Sequence, residues 1–141
     1  MNLQLITLQG VKIDEPVYEV ILPTSSGEIA VFPGHEPLVT VARAGVIQGR
    51  REPEHSNERM KLFAISGGVI EINQTSVRVL VDEADHGEDI LESETKAALE
   101  RAIAMRDNAT SQVELEKAHQ LVDRHMVRLK VADLQRHRRH M

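Results

Sequence analysis

The period of the apolar residues changes once along this chain, near residue 85. Before that point, short runs alternate apolar with polar residues, and a turn signal recurs every 8–12 residues. After it, Ala, Leu, Glu, Lys and Arg replace the β-branched residues, and apolar positions recur at three and four. A period of two belongs to a half-buried strand and a period near 3.6 to a helix. The chain therefore builds an all-β unit first and a helical unit second. Leu3, Leu5 and Thr7 begin the first strand, which Gly10 breaks. Val17–Leu22 reads as the second, stopped by Pro23. Ile29–Phe32, Leu38–Val41, Gly45–Ile47, Met60–Ile65, Val69–Ile72 and Val77–Val81 follow. This is the pattern of a β-sandwich of about ten short antiparallel strands over residues 1–85.

Residues 86–141 read as an antiparallel helical hairpin, with helices over about 90–107 and 111–136. Gly87 is the flexible joint. Asp89 with Glu92, and Ser111 with Glu114, have the spacing of capping boxes. The expected apolar face of the first helix is Leu91, Ala98, Ala102 and Met105. That of the second is Leu115, Ala118, Val122, His125, Leu129 and Ala132. Both stripes are narrow and the exterior is charged, so the hairpin needs the sandwich or a partner to hold it.

Composition closes off several functions. There is no cysteine, which excludes disulfides and thiolate metal sites. The first ten residues lack the basic and apolar regions of a secretory signal, and no run approaches the ~20 apolar residues that span a bilayer. The expectation is a soluble protein that docks on something in a membrane without inserting into lipid. The net charge of −5 is unevenly spread. Residues 1–116 carry 10 Lys and Arg against 20 Asp and Glu, whereas residues 117–141 carry 7 against 2. A basic end of this kind suits an acidic partner, or a helix terminus whose dipole favours cations.

The stretch Ser25–Ile47 contains the most constrained turn. Pro33 and Pro37 forbid a helix and Gly34 permits unusual backbone angles, so His35 and Glu36 sit on a stiff corner between two strands. A catalytic dyad there would need a nucleophile or metal partner, and no such constellation follows. A turn-bound histidine and a protein-contact surface remain the two readings. Of the seven histidines, His119, His125, His137 and His140 fall in or beyond the second helix, and none forms an i, i+4 pair. No metal site is expected, and His125 should pack in the apolar stripe as a neutral ring. Gly67-Gly68 lacks the spacing, lysine and helix of a phosphate loop. The basic tail has no interleaved aromatics, so nucleic acid is not an expected partner.

Gly-Glu-Ile-Ala-Val-Phe-Pro-Gly-His-Glu-Pro-Leu-Val-Thr, residues 27–40, resembles a signature of the epsilon subunit of bacterial F-type ATP synthases, with Ala30 where that family usually has glycine. Ser66-Gly67-Gly68 with the strand after it, and Gly87-Glu88-Asp89-Ile90, are similar to later motifs of the same family, in the same order. The resemblance implies a non-catalytic rotor subunit of the central stalk that couples proton-driven rotation to ATP synthesis. It implies contacts with the gamma subunit and the membrane rotor ring, at the cytoplasmic face of the cell membrane. Glu28 and His35 match positions that face the ring. The hairpin is expected either folded on the sandwich or extended to block ATP hydrolysis. When extended, Arg124, Arg128, Arg136, Arg138 and Arg139 would meet the alpha and beta subunits of the catalytic head. Some members bind ATP through an early helix-one motif. Here Leu91 and Glu94 stand where its acid and arginine belong, so weak or absent ATP binding is expected, and no cofactor. Outside the resemblance, the competing reading is a free-standing binding module that dimerises through its hairpin.

Overall fold

The computed structural model describes residues 1–139, with side chains through Arg138. Ten strands precede two helices. They are β1 (Asn2–Thr7), β2 (Gly10–Pro16), β3 (Glu19–Thr24), β4 (Gly27–Val31), β5 (Leu38–Ala42), β6 (Gly45–Arg50), β7 (Lys61–Ile65), β8 (Gly68–Ile72), β9 (Ser76–Val81) and β10 (Ala84–His86). The helices are α1 (Glu92–Asp107) and α2 (Gln112–Arg139). Hydrogen bonds link the strands in the order β10-β7-β6-β3-β5-β8-β9-β1-β2, with β4 on the free side of β3.

Three nearly continuous strands bend at one level and so make two layers. β5 passes into β6 at Arg43-Ala44, β7 into β8 at Ser66-Gly67, and β9 into β10 at Asp82-Glu83. β6 and β10 flank β7 in one layer, while β5 and β9 flank β8 in the other. Leu3, Leu5, Val20, Leu22, Val31, Ile47, Phe63, Ile70, Val77 and Val79 fill the space between them, each no more than 1% exposed. Each such side chain contributes about 1.5–3 kcal/mol by leaving water. An aliphatic core of this kind suits a chain with so few aromatics.

The sheet departs from the sequence reading in three places. The pairing is not wholly antiparallel, because β1 lies parallel to β9, with Leu3 opposite Val77 and Leu5 opposite Val79. Gly10 does not end a strand but turns the chain into β2, which the alternation failed to reveal because only Ile13 in it is buried. Pro23 does not stop β3. It pairs with Glu28 inside the strand, and its carbonyl accepts the Arg43 N–H at 3.0 Å. A proline costs a ladder only where its missing N–H was needed.

The hairpin lies along the outer surface of the β6–β7 layer. Phe63 and Ile65 point into the sandwich core. Leu62 and Ala64 point the other way and join Val46, Ile90, Val131 and Ala132 in a second, smaller apolar cluster. This explains why β7 is apolar on both faces, as strands covered on both sides are. Gly87 is the point of closest approach. A Cβ there would lie 2.8 Å from Val131 Cγ1 and 2.9 Å from the Leu62 carbonyl oxygen.

Helix one starts later than its capping pattern suggests. Gly87–Asp89 forms a short 3-10 turn, Ile90 is extended, and α1 begins at Glu92 after Leu91, with no side-chain cap. Burying Ile90 in the second cluster outweighs the ~1 kcal/mol of an N-cap. The buried face follows from that start. It runs through Thr95 and Ala102, with Ala98 and Leu99 half-buried, whereas Leu91 and Met105 of the expected face are exposed. The Thr95 hydroxyl donates to the Leu91 carbonyl at 2.9 Å. On α2 the expected stripe holds. Ala118, Val122 and Ala132 are buried, and Leu115, His125 and Leu129 are partly so. Ser111 accepts from the Glu114 N–H at 3.2 Å, as a cap should. The Glu114 carboxylate takes the Thr110 N–H and hydroxyl, which hold its pKa below the usual range.

Candidate docking surfaces

Pro33, Gly34 and Pro37 shape the corner between β4 and β5 as expected. Gly34 has φ +88°, a value that a side chain resists, and its N–H donates to the Gln74 carbonyl at 2.9 Å. His35 is half-buried, and its Nδ1 donates to the Glu36 carbonyl at 2.6 Å. The ring is thereby fixed by its own turn, with Glu36 exposed beside it. Tyr18 and Phe32 stand near this end of the sandwich in an edge-to-face pair, 5.6 Å between centroids.

Glu28 does not share that corner. It is the second residue of β4, next to the tight turn Ser25-Ser26, while His35 follows the other end of the same strand. The backbone bonds place the two ends apart. Gly34 joins Gln74, beside Asn2 and Thr75; Ser25 and Pro23 join Val41 and Arg43 at the bend. Both residues are reachable from solvent, but a single small contact does not cover both. Sequence proximity concealed this, because the extended chain between them spans ~3.3 Å per residue.

Four arginines of α2 engage the chain itself. Arg124 Nε lies 2.8 Å from Glu83 Oε2, and Arg128 Nε 3.6 Å from Asp85 Oδ2. Neither nitrogen makes an aligned hydrogen bond, so these are charge contacts. Arg136 bridges Glu92, at 3.2 Å, and Asp133. Arg138 donates to the Met60 carbonyl at 3.1 Å and to Gln48 Oε1 at 3.2 Å, tying the far end of α2 to the sandwich. The Arg139 side chain and His140 lie outside the described residues. Among the described residues no His, Cys, Asp or Glu cluster could hold a metal ion.

His125 is packed as the sequence suggested. Its Nδ1 is buried without a partner, and desolvation, then Arg128, Arg124 and Arg101, push its pKa below the usual value. It shares a cleft of about 190 Å³ with Glu94, Thr95, Ala98, Arg101 and Arg128. Glu94, at the expected arginine position, thus brings a carboxylate to an otherwise basic cleft.

One surface was not foreseen. Val39 and Val41 of β5 and Val69 of β8 project from the outer face of the layer that lacks the hairpin, and are 70%, 55% and 43% exposed. Val41 pairs directly with Val69. Leu38–Ala42 is apolar at nearly every position, as β7 is, and that two-sided pattern was the available signal. In β7 the second face meets α2; in β5 it meets solvent.

The family described as "ATP synthase, Delta/Epsilon chain, beta-sandwich domain" matches residues 1–87, the whole of the sandwich. The chain belongs to the ATP synthase epsilon chain family. The ATP synthase epsilon chain of Herpetosiphon aurantiacus is 33% identical over 98% of both chains. That of Moorella thermoacetica is 33% identical over 94% of this chain and 96% of its own. Membership makes this a non-catalytic subunit of the rotor stalk of F-type ATP synthase. A chain in the Euglena gracilis mitochondrial ATP synthase structure has the same fold, with a TM-score of 0.74, at 24% identity over 92% of this chain and 79% of that one. Among the described residues no helix is long and apolar enough to cross a membrane.

Proposed function

We propose that the chain binds the gamma subunit through the Val39–Val41–Val69 strip, contacts the membrane rotor ring through Glu28 and His35, and restrains ATP hydrolysis when its hairpin leaves the sandwich. The work is done on the cytoplasmic face of the cell membrane. The observation that carries the reading is the separateness of the two apolar clusters. The sandwich core contains none of the residues that hold α2. Detaching the hairpin costs a small apolar seam and a few half-exposed ion pairs, each worth about 0–1 kcal/mol, and leaves the sandwich intact. A two-position element of this kind populates whichever site offers more contact energy.

Once α2 is released, Arg124, Arg128, Arg136, Arg138 and Arg139 are available to acidic surfaces of the alpha and beta subunits. The dimerisation reading is the weaker one, because the apolar stripe of α2 is already divided between α1 and the sandwich. The chain needs no cofactor, and ATP binds weakly or not at all. Exposed Leu91 offers a phosphate nothing, and Glu94 repels it. Titration calorimetry with micromolar ATP should give no binding heat, and a saturable signal would overturn that part.

The decisive experiment is an ATPase assay of the reconstituted catalytic head with the full chain and with residues 1–87. Faster hydrolysis with the short version is expected. Equal rates would remove the inhibitory role and leave coupling alone.

A further inference from the structure

We propose that His125 makes the α1–α2 seam acid-sensitive: a proton on its ring adds a fourth positive charge to a joint already holding three guanidinium groups, and α2 loosens from α1. The geometry is a crowded one. His125 sits on the face of α2 that meets α1, with its Nδ1 buried and unpartnered. Arg124 and Arg128 flank it on its own helix. From α1, Arg101 and Glu94 line the same cleft. From the sandwich, Glu83 and Asp85 face the joint, but Arg124 and Arg128 already engage them, at 2.8 and 3.6 Å.

A neutral ring fits because it asks nothing of the carboxylates. A charged ring must be desolvated and repelled by three cations, and of the acids near it Glu83 and Asp85 already have partners. Glu83 offsets part of this, but burial and the arginines together outweigh it. The sign follows from linkage. The folded pKa of His125 is lowered, so the loosened state binds the proton more tightly. The α1–α2 seam is tightest above the ordinary histidine pKa and loosens as pH falls through it toward the lower folded value. His119 and His137 do not share this setting. His119 is exposed, and His137 Nδ1 lies 2.9 Å from the Asp133 carbonyl and 3.6 Å from its carboxylate, away from the cleft.

The inference deepens the reading of the hairpin as a two-position element and rests on it only for its consequence in the complex. In the complex, acidification would favour a hairpin whose two helices have parted. The structural claim is tested on the isolated full chain. Hydrogen-exchange protection factors, which remove the intrinsic pH dependence of exchange, are compared at pH 7.5 and 5.5 for α2 amides 124–132 and for β7 amides. A severalfold fall in α2 protection with β7 unchanged is expected. His125→Gln should abolish that fall, and His119→Gln should leave it in place. His125→Lys should show loosened α2 amides already at pH 7.5. If His125→Gln retains the pH response, or the wild-type chain shows none, the proposal is wrong whatever the ATPase assay reports. Equal ATPase rates with an intact pH response would instead sink the inhibitory role and keep the acid-sensitive joint.

Discussion

Gly87 sits where the sandwich, the joint and α2 come within van der Waals reach, and hydrogen is the only side chain that fits. In Gly87→Ala the new methyl must displace either Val131 or the Leu62 backbone. Val131 is the movable partner, so the substitution should lift α2 and cost about 1–3 kcal/mol of docking. The sandwich core should keep its stability, and α2 amides should lose protection while β7 amides do not. Glu28 and His35 make a second test at this scale. Because Glu28 lies near the start of β4 and His35 in the turn beyond its end, Glu28→Ala and His35→Ala should affect ring coupling independently, with additive losses in ATP-driven proton pumping. Strong non-additivity would put both in one contact. His35 was legible in the sequence because two prolines and a glycine leave its turn few options. The separation of Glu28 was not, because it depends on how β3 and β4 pair, which no local pattern encodes.

At the level of elements, the sequence told strands from helices and placed nearly all of them, because the change of period is a local signal. It missed β2, whose exposed edge position removes the alternation, and the three-residue β10, too short to show a period, and it misplaced the start of α1, where the burial of Ile90 overrides a capping pattern. The hairpin turn shows the opposite case. Thr110, Ser111 and Glu114 satisfy one another without help from the sandwich. Ser111→Ala should therefore cost the helix about 1 kcal/mol, within the usual range for a lost N-cap. The loss should appear as fraying of the first turn of α2, with docking around Val131 unchanged. Helical circular dichroism, together with exchange at residues 112–116 and 128–132, would separate the two effects.

The whole molecule presents two apolar sheet faces and covers only one of them. The hairpin occupies the β6–β7 layer, and the strip of Val39, Val41 and Val69 on the other layer is left for a partner. Val41→Glu should weaken capture by the gamma subunit at least about tenfold, the usual effect of a charge buried in a contact. It should leave the melting temperature nearly unchanged, since Val41 is solvent-exposed in the free chain. A large fall in melting temperature would mean that the strip serves the fold itself. The parallel pairing of β1 with β9 has a further consequence, for assembly in time. The first strand to leave the ribosome must wait for nearly the last strand of its domain, so Leu3 and Leu5 find Val77 and Val79 only after some seventy residues have followed. Closing so long a loop makes the sandwich a slow and all-or-none folder. The helical arm is synthesised last, and it meets its docking seam only when the surface beneath it is complete.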